Sequence, residues 1–176
     1  MINALSNDNT QQQVLVRNAT TGLVEYRLST SLPSIGVGRY HLNTSQSISN
    51  ATVTTLVYDT IDTATSNITY STGIFTINTA GIYIFDAGII FASNAVGERY
   101  VNFKKNTGVN SVQSFRLNTN ATDVWQVNNT YNDLFAVNDT LLIQLYQTST
   151  GTLNASGVST SSANYCNMTV NYIISA

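Results

Sequence analysis

Charge is what this chain has least of. Asp, Glu, Lys and Arg make up 9% of its 176 residues, against roughly 25% in an average soluble domain. Seven Lys and Arg against nine Asp and Glu give a formal net charge of -2. Phosphate binding therefore has no basic patch to build on, and nucleic acid is not an expected partner. The one adjacent basic pair, Lys104 and Lys105, closes the strand-like YVNFKK and reads as a solvated strand end. A single cysteine, Cys166, excludes an internal disulfide, and its strand-like flanks make it a small buried hydrophobe. A single histidine, His41, sits in the polar GRYHLNTS, with no partner signature for nucleophilic catalysis and no ligand spacing for zinc. The longest apolar run, Ala80 to Ala92, is too short to span a bilayer and carries Asp86, so membrane insertion is not expected. The opening MINALSNDNTQQQ turns polar at its sixth residue, and no cleavable export signal is expected.

Asn, Thr and Ser fill the space that charge leaves, at roughly a third of the chain. Thr favours strands, and Asn and Ser favour turns over helix interiors. No window sustains a 3.6-residue apolar period, whereas short strand-like runs recur between turn signals from ATVTTLVYDT to CNMTVNYIIS. The expected class is all-β, a sandwich or jelly roll. The only proline, Pro33, lies in the Ser- and Gly-rich LSTSLPSIGVGRY and separates two differently patterned parts. Upstream, the alternating runs Val14 to Arg17 and Leu23 to Arg27 around NATTG predict a β-hairpin. The expected division is an arm, hairpin and linker over residues 1–45, and a head over 46–176. GVGR at Gly36 to Arg39 lacks the third glycine and the helix of a dinucleotide loop and reads as a flexible joint.

The stretch FTINTAGIYIFDAGIIF carries the most specific signal. Phe75, Gly81, Tyr83 and Phe85 reproduce, without a gap, the Phe, Gly, Tyr, Phe core of the complement C-one-q globular-head signature. The upstream signature positions fall on Val57, Thr63 and Ile68, and the last falls on Ala87; all four depart from the family's preferences. NITYSTGIFTI resembles the family's approach to this strand, with a turn at Ser71 to Gly73. DLFAVNDTLLIQL resembles its later turn and strand, with Asn138 where the family has Gly. The closing MTVNYIIS resembles its last strand. The resemblance covers roughly Ser49 to Ala176. It implies a ten-stranded antiparallel jelly roll of the tumour necrosis factor-like kind, a homotrimer serving as a binding head, and no enzyme. Heads of this fold also top viral and phage fibres, and VLVRNATTGLVEYR resembles segments of viral structural proteins.

Alternation places Tyr83, Phe85, Ala87, Ile89 and Phe91 on one face of the central strand and Ile82, Ile84, Gly88 and Ile90 on the other. One face suits the core; the other calls for a neighbouring subunit. Expected trimer-interface residues are Ile82, Ile84, Ile90, Leu142 and Tyr172, with Asp86 at the seam requiring a partner such as Arg99 or Lys104. Exposed loops at 95–99, 118–123 and 148–162 are expected to meet a receptor or glycan, with Arg99, Trp125, Tyr131 and Tyr146 as ligand candidates.

Catalytic chemistry has little to work with. Asp59 with Asp62, or Asp133 with Asp139, could form a glycosidase pair, but all four sit at turn-like positions, where Asp caps backbone N–H groups. No metal and no cofactor are expected. Nine Asn-x-Ser/Thr triplets occur, a number inflated by composition. The expected function is a non-enzymatic trimeric head on a virion, fibre or other extracellular-facing surface. Residues 1–45 would contact other virion proteins. The alternatives are a capsid or vertex building block and a secreted lectin-like module.

Overall fold

The computed structural model describes residues 13–17, 20–22, 24–28, 36–106, 113–118, 125–158 and 165–174. The chain divides into two units, Met1–Pro33 and Ser34–Ala176. The first holds the predicted hairpin: β1 (Gln13–Arg17) pairs antiparallel with β2 (Val24–Leu28), Leu15 opposite Tyr26.

Among its described residues the regular structure of the second unit is all strand. In order come β3 (Gly36–His41), β4 (Gln46–Ile48), β5 (Thr54–Thr55), β6 (Thr60–Thr63), β7 (Ile68–Ser71) and β8 (Ile74–Ile77). The 11-residue β9 (Gly81–Phe91) follows, then β10 (Glu98–Lys105), β11 (Gln113–Asn118) and β12 (Trp125–Phe135). The chain finishes with β13 (Thr140–Gln147), β14 (Leu153–Ala155) and β15 (Asn167–Ile174). The larger sheet runs β12-β9-β15-β3-β6, with β14 and β4 extending from the far end of β9; the smaller runs β11-β10-β13-β8-β7, with β5 on β13. Every pairing is antiparallel. These strands form the expected jelly-roll sandwich. Their number exceeds ten because short pieces such as β4, β5 and β14 count separately.

One boundary moves. β3 lies inside the larger sheet, with β15 on one side and β6 on the other. The head therefore begins just after Pro33, and residues 36–45 belong to it. GVGR is the first half of β3, a paired strand and not a joint.

The core forms where the two sheets face each other. From the larger sheet it takes Tyr83, Phe85, Ala87, Ile89, Phe91, Met168 and Val170, and from the smaller Phe75, Ile77, Val101, Phe103, Leu141, Ile143 and Leu145. Each large side chain so buried contributes about 1.5–3 kcal/mol. The signature residues meet here: the Phe75 and Phe85 rings are 5.7 Å apart, and Tyr83 and Phe85 are 6.2 Å apart. Tyr83 brings a hydroxyl into this apolar space and satisfies it by donating to Thr79 O (2.6 Å), with Asn67 O at 3.2 Å. Burial pushes its phenol up to about 12.

Two turns follow the sequence closely. Between β7 and β8 the chain reverses over Thr72 (φ 48°) and Gly73 (φ 85°), the two positive φ values that a tight two-residue hairpin demands. A Cβ at Gly73 would stand 2.8 Å from Leu56 O, so glycine is required sterically as well. Asn138 takes φ 70°, the left-handed conformation that Asn tolerates in place of glycine. There Asp139 accepts from Ala136 N–H at 2.9 Å.

Candidate assembly face and polar cleft

The outward face of the larger sheet is set by register. Across β12, β9 and β15, Leu134 stands opposite Ile82, Asn132–Ile84–Asn171 form the next row, Thr130–Asp86–Thr169 the next, and Asn128–Gly88–Asn167 the last. On β3 the rows continue as Val37, Arg39 and His41. The face is therefore graded along β9. At its start Ile82 is 39% exposed, Leu134 54% and Ile173 43%, the last at a β-bulge where β15 leaves register with β9. Further along, the same face turns polar.

At the polar end Gly88 has no side chain to fill the row. A Cβ there would meet Asn167 Nδ2 at 2.9 Å, Oδ1 at 3.1 Å and Asn128 Oδ1 at 3.3 Å. Both amides thus lean over the glycine and form two walls of a cavity of about 190 Å³, completed by Asp86, Ala87, Asn129, Thr130 and Thr169. Thr130 Oγ1 donates to one Asp86 oxygen at 2.6 Å. Asn128 Oδ1 accepts from Gln126 Nε2 at 3.2 Å, and Asn167 Nδ2 donates to Tyr165 O at 3.1 Å.

The structure sorts the expected interface residues. Ile82 and Ile84 lie on this outward face, Ile84 half-buried. Ile90 points the same way by alternation but is 2% exposed, with Ser156 and Cys166 both bonded to its backbone. Tyr172 is likewise buried, its ring 5.1 Å from that of Tyr83. Neither is open to a neighbouring chain. Leu142 is half-buried on β13 in the smaller sheet, where alternation turns Leu141 and Ile143 inward, so it lies on the opposite outer surface from Ile82. Asp86 pairs with Thr130 and with neither expected cation.

The ligand candidates are also redistributed. Arg99 is 1% exposed, and both its Nη atoms serve the 94–98 loop: Nη1 donates to Val96 O (2.9 Å) and Glu98 O (3.1 Å), and Nη2 to Asn94 O (3.2 Å). It holds the loop from beneath and offers nothing to a ligand. Tyr131 is on a strand, half-buried, its ring 5.9 Å from Phe103 and its hydroxyl donating to Asp133 Oδ2 at 2.7 Å. Burial, with Asp133 next in weight, pushes its phenol well up. Tyr146 remains partly open on the smaller sheet, 5.5 Å from the Tyr100 ring. Trp125 opens β12 opposite Phe91. Residues 107–112, 119–124 and 159–164 lie outside the described residues, which takes in most of one candidate loop and the end of another.

The aspartates act as caps. Asp59 accepts from Asn43 N (2.5 Å) and Thr44 N (2.8 Å); burial opposes its ionisation, but these bonds outweigh it and hold the carboxyl below the ordinary range. Lys105 Nζ donates to Asp133 Oδ2 (2.9 Å) and Leu134 O (2.7 Å) and lies 3.7 Å from Asp139 Oδ2 and 4.3 Å from the Phe135 ring centroid. Asp133 and Asp139 are held low in the same way, partial burial being overcome by their hydrogen bonds and by Lys105. Asp62 takes His41 Nδ1 at 2.8 Å. Among the described residues no three His, Cys, Asp or Glu side chains are grouped to hold a metal ion.

The architecture is a two-sheet jelly roll, the fold shared by tumour necrosis factor-like and complement C-one-q globular domains of known structure. Murine APRIL superimposes with a TM-score of 0.59 at 10% identity, over 80% of this chain and 100% of that one. Eiger TNF from S. frugiperda gives 0.57 at 12% identity over 82% and 96%, and the globular domain of zebrafish complement 1qA protein gives 0.53 at 13% over 79% and 96%. By sequence alone, no family model and no curated protein matches.

Proposed function

We propose that this chain is a non-enzymatic binding head that assembles as a homotrimer through the outward face of its larger sheet. The observation that carries this reading is the exposed apolar strip of Ile82, Leu134 and Ile173 on the strands that also form the core. Exposed apolar area gathered at one place on a sheet is the usual mark of an interaction surface. The fold supports the same reading, because the resemblance noted in the sequence is to heads that work as trimers. The hairpin unit at residues 13–28 fits a tether, since a lone two-stranded hairpin is marginally stable in water and gains from a partner. On this reading the head serves attachment to a receptor or glycan at the surface of a virion, fibre or capsid, with its arm held by neighbouring proteins.

Solution mass tests it. The expected result at micromolar concentration is three times the 19.1 kDa chain mass. A monomer overturns the proposal, and a five-fold assembly points instead to a capsid vertex.

A further inference from the structure

We infer that the polar cleft over Gly88 is a socket for a second copy of this chain, in which Asp86 receives the Arg39 guanidinium of the next subunit. This deepens the proposed function and rests on it, because the pair exists only where the outward face of the larger sheet is covered by a neighbour.

The argument starts from a census of charge. Among the described residues of the second unit, Lys105 serves Asp133 and Asp139, Arg116 serves Glu98, and His41 serves Asp62. Asp59 caps the backbone at Asn43 and Thr44, and Arg99 is committed to its own loop. Lys104 lies beside Leu142 on the outer surface of the smaller sheet. Two charges are left without an opposite charge, the half-buried Asp86 and the exposed Arg39, and both stand on the outward face of the larger sheet. Covering that face strips water from both. A carboxylate or a guanidinium so desolvated needs a partner, and each is the one the other lacks.

The cleft fits a guanidinium. Asp86 accepts from Thr130 through Oδ1, which leaves its other oxygen free, and Asn167 gives an N–H to Tyr165 O and keeps its side-chain carbonyl oxygen. The Thr169 hydroxyl adds a third acceptor to the lining of a cavity of about 190 Å³. An arginine fork donates only, in a plane, and suits such a set better than a lysine point charge. Gly88 makes the room, since a Cβ there would stand 2.9 Å from Asn167 Nδ2.

Register sets the geometry. Thr169 on β15 stands opposite both Asp86 on β9 and Arg39 on β3, so the two charges lie at one level along the strands, two strand spacings or about 10 Å apart. A closed ring arises by rotation without rise, and each subunit contributes two different patches to it. With the axis along the strands, that rotation brings Arg39 of one chain to the level of Asp86 of the next. The apolar strip of Ile82 and Leu134 then supplies attraction, and the charge pair fixes which part of the neighbour meets which.

The test is subunit exchange followed by native mass spectrometry, mixing isotope-labelled and unlabelled full chain and counting mixed trimers. Asp86→Asn and Arg39→Gln should each exchange at least about tenfold faster than wild type, since truncating one partner of a buried charge pair acts on dissociation. The double variant should match the faster single within about threefold, the non-additivity of groups in contact. A variant that is folded by circular dichroism but recovered only as monomer is the extreme of the same result. Arg39→Gln, at an exposed site, decides the matter if Asp86→Asn misfolds. Unchanged or slower exchange in either single variant overturns the pair, as do effects that multiply in the double. Coupling of the two changes in the urea midpoint of the Ile82→Asp, Leu134→Asp monomer would mark a contact within one chain and overturn it too. A wild-type trimer with unchanged exchange in the variants removes the pair alone; a wild-type monomer removes the assembly and the pair together.

Discussion

The two faces of β9 are built from similar residues and meet opposite fates. Inward, Tyr83, Phe85, Ala87, Ile89 and Phe91 are all at most 2% exposed, because the smaller sheet supplies Phe75, Phe103, Ile143 and Leu145 to cover them. Outward, the same strand offers Ile82 and Ile84 with no second sheet laid over them among the described residues of the second unit, then Asp86 and Gly88 over a polar cleft. Hydrophobicity alone does not bury a residue. What buries it is a complementary surface at sheet-packing distance, about 10 Å away, and the inward face has one within the protomer.

The comparison breaks most sharply at Phe85. Replacing it with Ala should cost about 3–5 kcal/mol through lost transfer energy and a cavity between the sheets. Urea unfolding read by circular dichroism should show this at every protein concentration. The outward counterpart, Ile82→Asp with Leu134→Asp, should leave each chain folded while reducing the solution mass to that of a monomer. The wild-type unfolding midpoint should rise with protein concentration, as for any assembly that binds only folded chains, and that of the double variant should not.

A middle-sized effect belongs to Arg99. Arg99→Met keeps much of the buried stem but removes the guanidinium donor to the Asn94 and Val96 carbonyls and one of the two donors to Glu98 O, which keeps Thr148 N–H, at a cost of about 1–3 kcal/mol. Hydrogen exchange should rise in the 94–98 segment first. The smallest effect concerns the rim, where Lys105 serves Asp133 and Asp139. Their native carboxyl pKa values lie below the unfolded ones, so the stability they confer is present above the ordinary carboxylate range and lost as pH falls through the native values. Urea midpoints at pH 7 and pH 3 should therefore differ more in the wild type than in Lys105→Met.

Much of the fold was legible in the sequence because local chemistry dictates it. The Phe75 to Phe85 spacing encodes which side chains meet in the core, the Thr72-Gly73 reversal is written in a glycine with φ 85°, and Asn138 stands where a left-handed residue is needed. The hairpin of the arm follows from alternation around NATTG. What was not legible depends on contacts between distant segments. Alternation put Ile90 outside, but Ser156 and Cys166 reach its backbone from far along the chain. Tyr172 and Leu142 are ambiguous in a run of apolar residues until pairing fixes which side faces Tyr83. Arg99 looks like a surface cation until the loop beneath which it folds is drawn. Leu134 and Ile173 joined the strip only through the register of β12 and a bulge in β15. The cleft exists because a glycine on one strand meets asparagines on two others, a coincidence no single segment records.

The lone thiol of Cys166 gives the protein a practical property. It is fully buried, its Sγ is 3.2 Å from the Ile90 nitrogen, and burial pushes its pKa up to about 11. Thiol reagents should therefore be blind to the native head and react only when the sheet opens, since the thiolate is the reactive form. The rate of labelling becomes a clock for global opening that needs no engineered probe. A cysteine placed by design on the exposed surface, at Thr52 for example, could carry a dye as the only reactive sulfur in the molecule.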